Sequence, residues 1–233
     1  RLDSELGLPL SPELKALQTR LARQVERRPA TRLGGNAASP AVFSGREPEL
    51  AMLMSLWQST SEDAGALVLV EGDAGMGRSR LVREFLGGVR ALGNPLVLAG
   101  RERPPGAQLP LGVFADALRP LVRAPGVSGT SRHLLAEAAR LLPELRDSFE
   151  LPPVSHVEDE AARLRFFEGL AALIDAAAYE HPVLIAIEDA HLLPPSSLDL
   201  LSYLCARLAG SPVMFVLTAR SLGQTIAGSR LLA

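Results

Sequence analysis

Lysine and cysteine are nearly missing from this sequence of 233 residues. Lys15 is the only lysine, so arginine supplies 23 of the 24 basic side chains. This skew is typical of an arginine-favouring codon pool, and it has no functional meaning until a site requires lysine. Cys205 is the only cysteine, which excludes an intrachain disulfide and a cysteine-rich zinc site.

Long apolar runs and an excess of one charge are also lacking. No run approaches the ~18 apolar residues expected of a membrane span, and the most continuous one is the short stretch 183–187. The formal net charge of −2 gives no whole-chain argument for binding nucleic acid or an anionic membrane. Hydrophobic residues make up 47% of the chain, which excludes disorder of the whole. We therefore predict a globular, cytoplasmic protein without membrane contact.

The first 42 residues differ in composition from the rest. Residues 12–28 carry leucines at helical spacing after Ser11 and Pro12, which predicts a helix. Residues 29–42 are rich in Pro, Gly, Ala, Ser and Asn, and we interpret them as a linker. Helical periodicity is already present at Arg1, and the chain stops at Ala233 without a cap, so we expect a piece of a longer protein.

Short apolar runs alternate with helical patterns from residue 43 onward. The runs that predict strands are 66–70, 95–99, 183–187 and 213–217. Helices are predicted at 47–59, near 113–123, 131–147 and 159–179, and between a glycine-rich turn and about residue 89. A last helix is predicted from a Ser196 cap to about residue 209, with Asp199 at its third helical position. This alternation predicts an α/β fold with a parallel sheet flanked by helices. Such sheets bind ligands outside the carboxyl ends of their strands.

A glycine-rich segment follows the first strand. Residues 72–79 (GDAGMGRS) have the spacing of the phosphate-loop pattern G-x-x-x-x-G-K-[ST], with Arg78 at the lysine position. Backbone N–H groups of such a loop turn inward around phosphates, and the Ser79 hydroxyl would ligate Mg²⁺. Arginine binds phosphate well, but its planar fork is bulkier and differently directed. An ordinary glycine-rich turn is the alternative interpretation.

Charged side chains follow the third and fourth strands. Glu188 and Asp189 come directly after VLIAI, where the beginning of a surface loop is the alternative interpretation. P-loop ATPases of the additional-strand type use two such acids to place Mg²⁺ and to orient the attacking water. The assignment of these two roles to Glu188 and Asp189 is left open, because the usual order puts aspartate first. Arg220, after VMFVLTA, has the position of a γ-phosphate sensor, with a solvated surface arginine as the alternative. His191 is given no role, since a lone histidine more often satisfies a local hydrogen bond.

The order and spacing of these motifs resemble the ATPase domain of the STAND class (signal-transduction ATPases with numerous domains) in large bacterial transcriptional regulators. The segments that carry the resemblance are FSGREPEL (43–50), GDAGMGRSRLVREF (72–85), LPLGVFADALR (109–119), LLPEL (141–145), and the stretch from HPVLIAIEDAH (181–191) to SPVMFVLTAR (211–220). Residues 6–23 (LGLPLSPELKALQTRLAR) resemble the end of the helical activator domain of SARP-type regulators.

The resemblance implies domains and residue roles. It implies the end of a helical activator module at 1–28, a linker at 29–42, and a P-loop NTPase core at 43–233 that lacks its C-terminal lid. It places residues 43–47 near the adenine side of a nucleotide. The implied nucleotide contacts are Gly45, Arg46, Gly72, Asp73, Ala74, Gly75, Met76, Gly77, Arg78, Ser79 and Arg80. The implied catalytic residues are Asp189, Glu188 and Arg220, and the implied metal ligands are Ser79, Glu188 and Asp189.

The function that the resemblance implies is a regulatory switch that binds ATP or ADP with Mg²⁺. Slow ATP hydrolysis is left open, because Arg78 replaces the usual lysine. A nucleotide-insensitive interaction scaffold is the alternative, and a metabolic P-loop kinase is disfavoured. The expected partners are the nucleotide and the neighbouring domains of the full-length protein. A homo-oligomer is left open, and DNA would be contacted only through a domain outside this sequence.

Overall fold

The computed structural model describes residues 44–60, 65–104, 106, 109–154 and 159–220. The helix and linker predicted within residues 1–42 lie outside these ranges, as does everything after Arg220. Within the described ranges, no helix combines the length and the apolar character that crossing a membrane would require.

Strands and helices alternate along the described chain. The strands are β1 (Ala66–Glu71), β2 (Leu96–Arg101), β3 (Val183–Glu188) and β4 (Val213–Ala219). The α-helices are α1 (Glu47–Thr60), α2 (Arg78–Ala91), α3 (Gly112–Leu118), α4 (Arg132–Ala138), α5 (Leu145–Ser148), α6 (Glu160–Glu180) and α7 (Pro195–Arg207). Short 3₁₀ helices lie at Arg119–Arg123, Val127–Gly129 and Ala190–Leu192.

The four strands form one parallel sheet in the order β1-β4-β3-β2. This confirms the predicted parallel α/β sheet and adds the strand order, in which β4 lies between β1 and β3. Because all strands run the same way, their carboxyl ends meet at one edge. There Glu71 lies opposite Ala219, and Arg101 lies opposite Glu188.

The central strands are the most apolar, and they are buried along almost their whole length. Every residue of β4 is buried, as are the first five of β3. The outer strands β1 and β2 are only partly buried. Continuous apolar runs suit strands covered on both faces, whereas edge strands tolerate exposure.

The core between the sheet and its helices centres on α6. Leu170, Leu173 and Ile174 are fully buried in it. Where α6 crosses α4, a Cβ built on Gly169 would lie 2.7 Å from the carbonyl oxygen of Leu134. The two helix backbones therefore approach closely only because residue 169 has no side chain.

Two predicted helix boundaries are wrong. The single helix expected at 131–147 is broken into α4 and α5, with Pro143 between them. Proline disfavours the helical conformation of the residue before it, here Leu142. The predicted Ser196 cap is also wrong, because α7 already begins at Pro195, which suits a first helical position that needs no N–H donor. Asp199, expected to help cap α7, forms an ion pair with Arg163.

Candidate phosphate-binding site

Glycine shapes the turn between β1 and α2. Gly75 and Gly77 have φ angles of +85° and +83°, in the left-handed region that glycine enters without a steric penalty. The carbonyl of Gly77 accepts hydrogen bonds from the N–H groups of Arg80 and Leu81, at 3.0 and 2.9 Å. The N–H of Gly72 donates to the carbonyl of Ala219 at 3.3 Å, which attaches the loop to β4. The beginning of α2 is thereby held at the carboxyl edge of the sheet.

The side chain of Arg78 folds back over this loop. A Cβ built on Gly72 would lie 3.6 Å from Cδ and 3.7 Å from Cγ of Arg78, so the aliphatic stem covers Gly72. The Nη1 atom of Arg78 is buried and has no hydrogen-bond partner among the described residues. Leaving a buried donor unpaired costs about 1–3 kcal/mol. A phosphate oxygen at the loop would satisfy this nitrogen with a charge-assisted hydrogen bond.

The segment before α1 contacts the same loop through Arg46. Its Nη2 donates to the carbonyl of Met76 at 3.0 Å, and its Nη1 pairs with Glu49 at 3.4 Å. Gly45, with a φ of +88°, donates its N–H to both carboxylate oxygens of Glu47, at 3.0 Å each. Hydrogen bonds from the backbone N–H groups of Glu47, Gly45 and Arg46 lower the pKa of the Glu47 carboxyl. Gly45 and Arg46 therefore lie next to the loop, as their predicted role requires.

The other predicted loop residues are mostly exposed. Asp73, Ala74 and Met76 are open to solvent, and the carbonyl of Asp73 accepts the Met76 N–H at 3.3 Å. Arg80 lies in the first turn of α2, 4.0 Å from Glu84. These residues leave the outer side of the loop accessible to a ligand.

The acidic pair lies where β3 ends. Glu188 is the last residue of the strand, and Asp189 follows with a φ of +59°. The N–H of Asp189 donates to the Thr218 hydroxyl of the neighbouring β4 at 3.0 Å. The side chains of Glu188 and Asp189 are 22% and 32% exposed, so both carboxylates remain reachable at the edge of the sheet.

Arg101 connects the acidic pair to the phosphate loop. It is the last residue of β2, in register with Glu188. Its Nη2 forms an ion pair with Glu188 Oε2 and donates to the Ser79 hydroxyl at 3.3 Å. Its Nε lies 3.8 Å from Asp189 Oδ2. The three side chains predicted as metal ligands thus converge on one guanidinium group.

Sequence reasoning missed Arg101. It ended the second strand at Ala99 and assigned residues 100–112 to a loop, whereas β2 continues to Arg101. The available signal was a charged residue just beyond an apolar run, the same pattern that identified Glu188 and Arg220.

Arg220 and His191 lie together beyond β4 and β3. Arg220 is exposed, and its N–H donates to Nδ1 of His191 at 3.4 Å. Burial lowers the pKa of His191; the carboxylate of Asp189 opposes this, and the positive charges of Arg220 and Arg78 add to the lowering. His191, for which the sequence pattern predicted no role, therefore lies within electrostatic reach of the acidic pair, Arg220 and the phosphate loop.

The donor set fits Mg²⁺ that is shared with a nucleotide. Among the described residues, no group of three His, Cys, Asp or Glu side chains could hold a metal ion by itself. Ser79, Glu188 and Asp189 offer a hydroxyl and two carboxylates, the hard oxygen donors that Mg²⁺ prefers. Proteins commonly hold Mg²⁺ with one or two carboxylates plus substrate phosphates. The contacts of Arg101 show that these oxygens already face a common point.

Two surface cavities lie away from this edge. Pro212, in the lining of one, and Pro95 and Pro182, in the lining of the other, directly precede β4, β2 and β3. Both cavities are therefore at the amino ends of the strands. The phosphate loop and the acidic pair are at the opposite, carboxyl ends.

One curated relative is much longer than this chain. The chain is 29% identical over 209 residues to an uncharacterized protein of Rhizobium meliloti (strain 1021), an alignment that covers 80% of this chain. The chain spans 19% of the length of that relative.

Solved structures with a similar course of the chain include Cdc6p from Pyrobaculum aerophilum. That likeness has 14% identity and a TM-score of 0.48, covering 84% of this chain and 45% of Cdc6p. Drosophila ORC bound to DNA matches with 17% identity and a TM-score of 0.41, covering 76% of this chain and 38% of the ORC chain.

A family model covers most of the described structure. Residues 42–216 match the model of the AAA ATPase domain, a stretch that includes β1 to β3, the phosphate loop and the acidic pair, and ends within β4. On this match, the chain belongs to the AAA ATPase domain family.

Proposed function

We propose that this chain is an ATP- or ADP-binding regulatory switch domain of a bacterial transcriptional regulator, of the STAND class and in a SARP-type protein. The observation that carries the binding part is the buried, unpartnered Nη1 of Arg78 at a loop with phosphate-loop spacing. Family membership supports it, since the matched family is an ATPase domain. The regulator context is supported by the sequence resemblance of residues 6–23 and 43–220.

In this proposal the phosphates lie against residues 72–79. The backbone of this loop and the positive end of α2 favour negative charge. Arg78 supplies the permanent positive charge that lysine supplies in other phosphate loops. Arg46 holds the loop through the Met76 carbonyl, and with Gly45 it borders the nucleotide.

Ser79, Glu188 and Asp189 would hold Mg²⁺, which when bound would neutralise part of the phosphate charge. We assign Glu188 to the metal, because the same nitrogen of Arg101 contacts both its carboxylate and the Ser79 hydroxyl. Asp189, which faces the same guanidinium, would share the metal and also orient a water molecule. Arg220, at the end of the adjacent strand, would contact the terminal phosphate. Slow hydrolysis is compatible with this arrangement, and a switch needs a long-lived state more than rapid turnover.

The switch itself would be a change in how this domain packs on its neighbours. A nucleotide that binds one of two packings more tightly shifts the population toward it. The expected partners are the other modules of the full-length protein, with DNA contacted by a separate domain. Association of further copies of this chain is compatible with the proposal.

A nucleotide-insensitive scaffold is the second candidate. It is favoured by the replacement of the usual lysine by Arg78, because a family member that no longer needs nucleotide is free to lose that lysine.

Calorimetric titration of ATP and ADP, with and without Mg²⁺, separates the two candidates. Arg78→Met should weaken nucleotide binding roughly tenfold or more, the loss expected for one charge-assisted hydrogen bond. Arg78→Lys should still bind nucleotide, and its rate of phosphate release from ATP should exceed that of the wild type. Arg83→Met is the matched control, since Arg83 is an exposed arginine on the same helix α2. Absence of nucleotide binding in the wild type and in Arg78→Lys would refute the regulatory switch and support the scaffold.

A further inference from the structure

Three oxygen-bearing groups that would hold Mg²⁺ are already bound by a positive charge from the protein itself. The Nη2 of Arg101 contacts both Ser79 Oγ and Glu188 Oε2, and its Nε lies 3.8 Å from Asp189 Oδ2. Arg101 reaches these groups from β2, and β3 and β4 lie between β2 and β1, the strand that leads into the phosphate loop. The contact is therefore not part of the local structure of that loop.

A guanidinium and Mg²⁺ cannot use these oxygens at the same time. Mg²⁺ requires its oxygen ligands at about 2.0–2.1 Å in near-octahedral geometry, whereas a guanidinium approaches through N–H groups at about 2.7–2.9 Å from charged acceptors. The side chain of Arg101 is 54% exposed, which leaves it room to swing into solvent when displaced.

We infer that Arg101 is a tethered cation that competes with Mg²⁺ for the oxygens of the phosphate site, so that metal loading requires its displacement. The inference rests on the proposed nucleotide function. It adds a regulatory consequence, namely that the protein requires more Mg²⁺ than its oxygen ligands alone would demand. It also accounts for how two adjacent carboxylates are tolerated when no metal is bound.

The test removes the tethered charge and follows the metal. Calorimetric titration of ATP at a series of Mg²⁺ concentrations gives the concentration at which metal-dependent binding is half-maximal. Arg101→Gln should lower this concentration roughly two- to fivefold, the range that corresponds to an exposed ion pair. The half-maximal Mg²⁺ concentration of Arg101→Lys should lie between those of Arg101→Gln and the wild type, because an ammonium is still a cation but cannot bridge all three groups.

Arg103→Gln is the matched control. Arg103 lies two residues further along the same segment, pairs with Asp116 at 3.5 Å and is similarly exposed, so its loss removes the same charge from the same region. If Arg103→Gln lowers the half-maximal Mg²⁺ concentration as much as Arg101→Gln does, the effect is one of net charge and the inference is wrong. It is equally wrong if Arg101→Gln leaves that concentration unchanged or raises it.

A measurement without nucleotide distinguishes failure of this inference from failure of the proposed function. In thermal unfolding, MgCl₂ alone should raise the melting temperature of Arg101→Gln more than that of the wild type, since the freed carboxylates need a new counter-ion. This result supports the inference even if no variant binds nucleotide, an outcome that would refute the switch alone. An equal response of both proteins to MgCl₂ overturns the inference.

Discussion

The backbone N–H of Asp189 donates a hydrogen bond to the hydroxyl of Thr218, at 3.0 Å across two neighbouring strands. Asp189 has a left-handed backbone with a φ of +59°, a conformation that aspartate enters more readily than most residues other than glycine. Thr218 is 1% exposed, so its hydroxyl is fixed in the core. The bond therefore stabilises the left-handed backbone of the second acid of the pair.

Thr218→Val should destabilise the fold by about 1–3 kcal/mol, because the similar shape keeps the packing while the Asp189 N–H loses its acceptor. Urea unfolding measures the change. Thr218→Ser keeps the hydroxyl and loses only a methyl group, so it serves as the control. If Thr218→Val and Thr218→Ser lower the free energy of unfolding by the same amount, the hydrogen bond contributes little and Asp189 is held by other contacts.

His191→Asn should remove an acid-sensitive part of the stability. The pKa of His191 is lowered in the folded state by burial, and the charges of Arg220 and Arg78 lower it further against the opposing charge of Asp189. The unfolded chain therefore takes up the proton first as the pH falls, so the wild type loses stability below about pH 6.5. Asparagine keeps an acceptor near the position of Nδ1 but does not titrate.

Urea unfolding of this variant at several pH values between about 5 and 8 shows whether His191 is responsible. The difference in unfolding free energy between His191→Asn and the wild type should shift in favour of the variant as the pH falls. His133→Asn, at an exposed position on α4, controls for the removal of one imidazole. A difference that does not depend on pH would contradict the assignment.

Glu102→Gln should show the opposite direction of pH dependence. Glu102 is 4% exposed; its Oε1 accepts the Arg103 N–H at 2.8 Å, and its Oε2 is buried without a partner among the described residues. Burial raises the pKa of this carboxyl, against the opposing N–H and charge of Arg103. The stability that the protonated form contributes is fully present below the unfolded pKa, and it is lost as the pH rises through the folded one.

The variant should therefore gain stability relative to the wild type as the pH rises from about 4.5 toward neutrality. Thermal unfolding across this range measures the difference, and Glu180→Gln, at the exposed end of α6, controls for the loss of one carboxylate. A relative stability that falls as the pH rises would show that Glu102 is stabilised as a carboxylate.

Two glycines in helices should respond to alanine in opposite directions. Gly169→Ala should destabilise the fold by about 1–3 kcal/mol, because the new methyl group would meet α4 at 2.7 Å. Gly87→Ala, at an exposed position of α2 with no atom within 4 Å of the added Cβ, should stabilise by about 0.5–1 kcal/mol through helix propensity. Chemical denaturation of both variants provides the comparison, and equal effects would mean that the α4–α6 crossing is looser than it is in this structure.

Much of the site was predictable because its signals are local. The glycine spacing of residues 72–79 and the acids after an apolar run are visible within one short window each. The structure brings the predicted loop, the acidic pair and Arg220 to one edge of the sheet, as strands of one direction require. The two wrong helix boundaries also have local causes, because at Pro143 and Pro195 the proline ring overrides the helical periodicity of the sequence.

Arg101 could not be selected from the sequence by itself. It is one of 23 arginines, and it contacts an acid that lies 87 positions away along the chain. That contact exists because β2 pairs with β3 in a register that places Arg101 opposite Glu188. Strand order and register result from packing between distant segments, which no short window of residues specifies.

The amino-acid sequence alone determined the α/β class, the phosphate-loop spacing and the charged ends of the strands, because these depend on short-range periodicity and on the backbone freedom of glycine. Only the tertiary structure decided that β4 lies between β1 and β3, and that Arg78 covers Gly72. It also decided that an arginine from a separate strand reaches the oxygens predicted to bind a metal. The physical reason is that a charge is positioned by the elements packed around it, and these come from far apart in the chain.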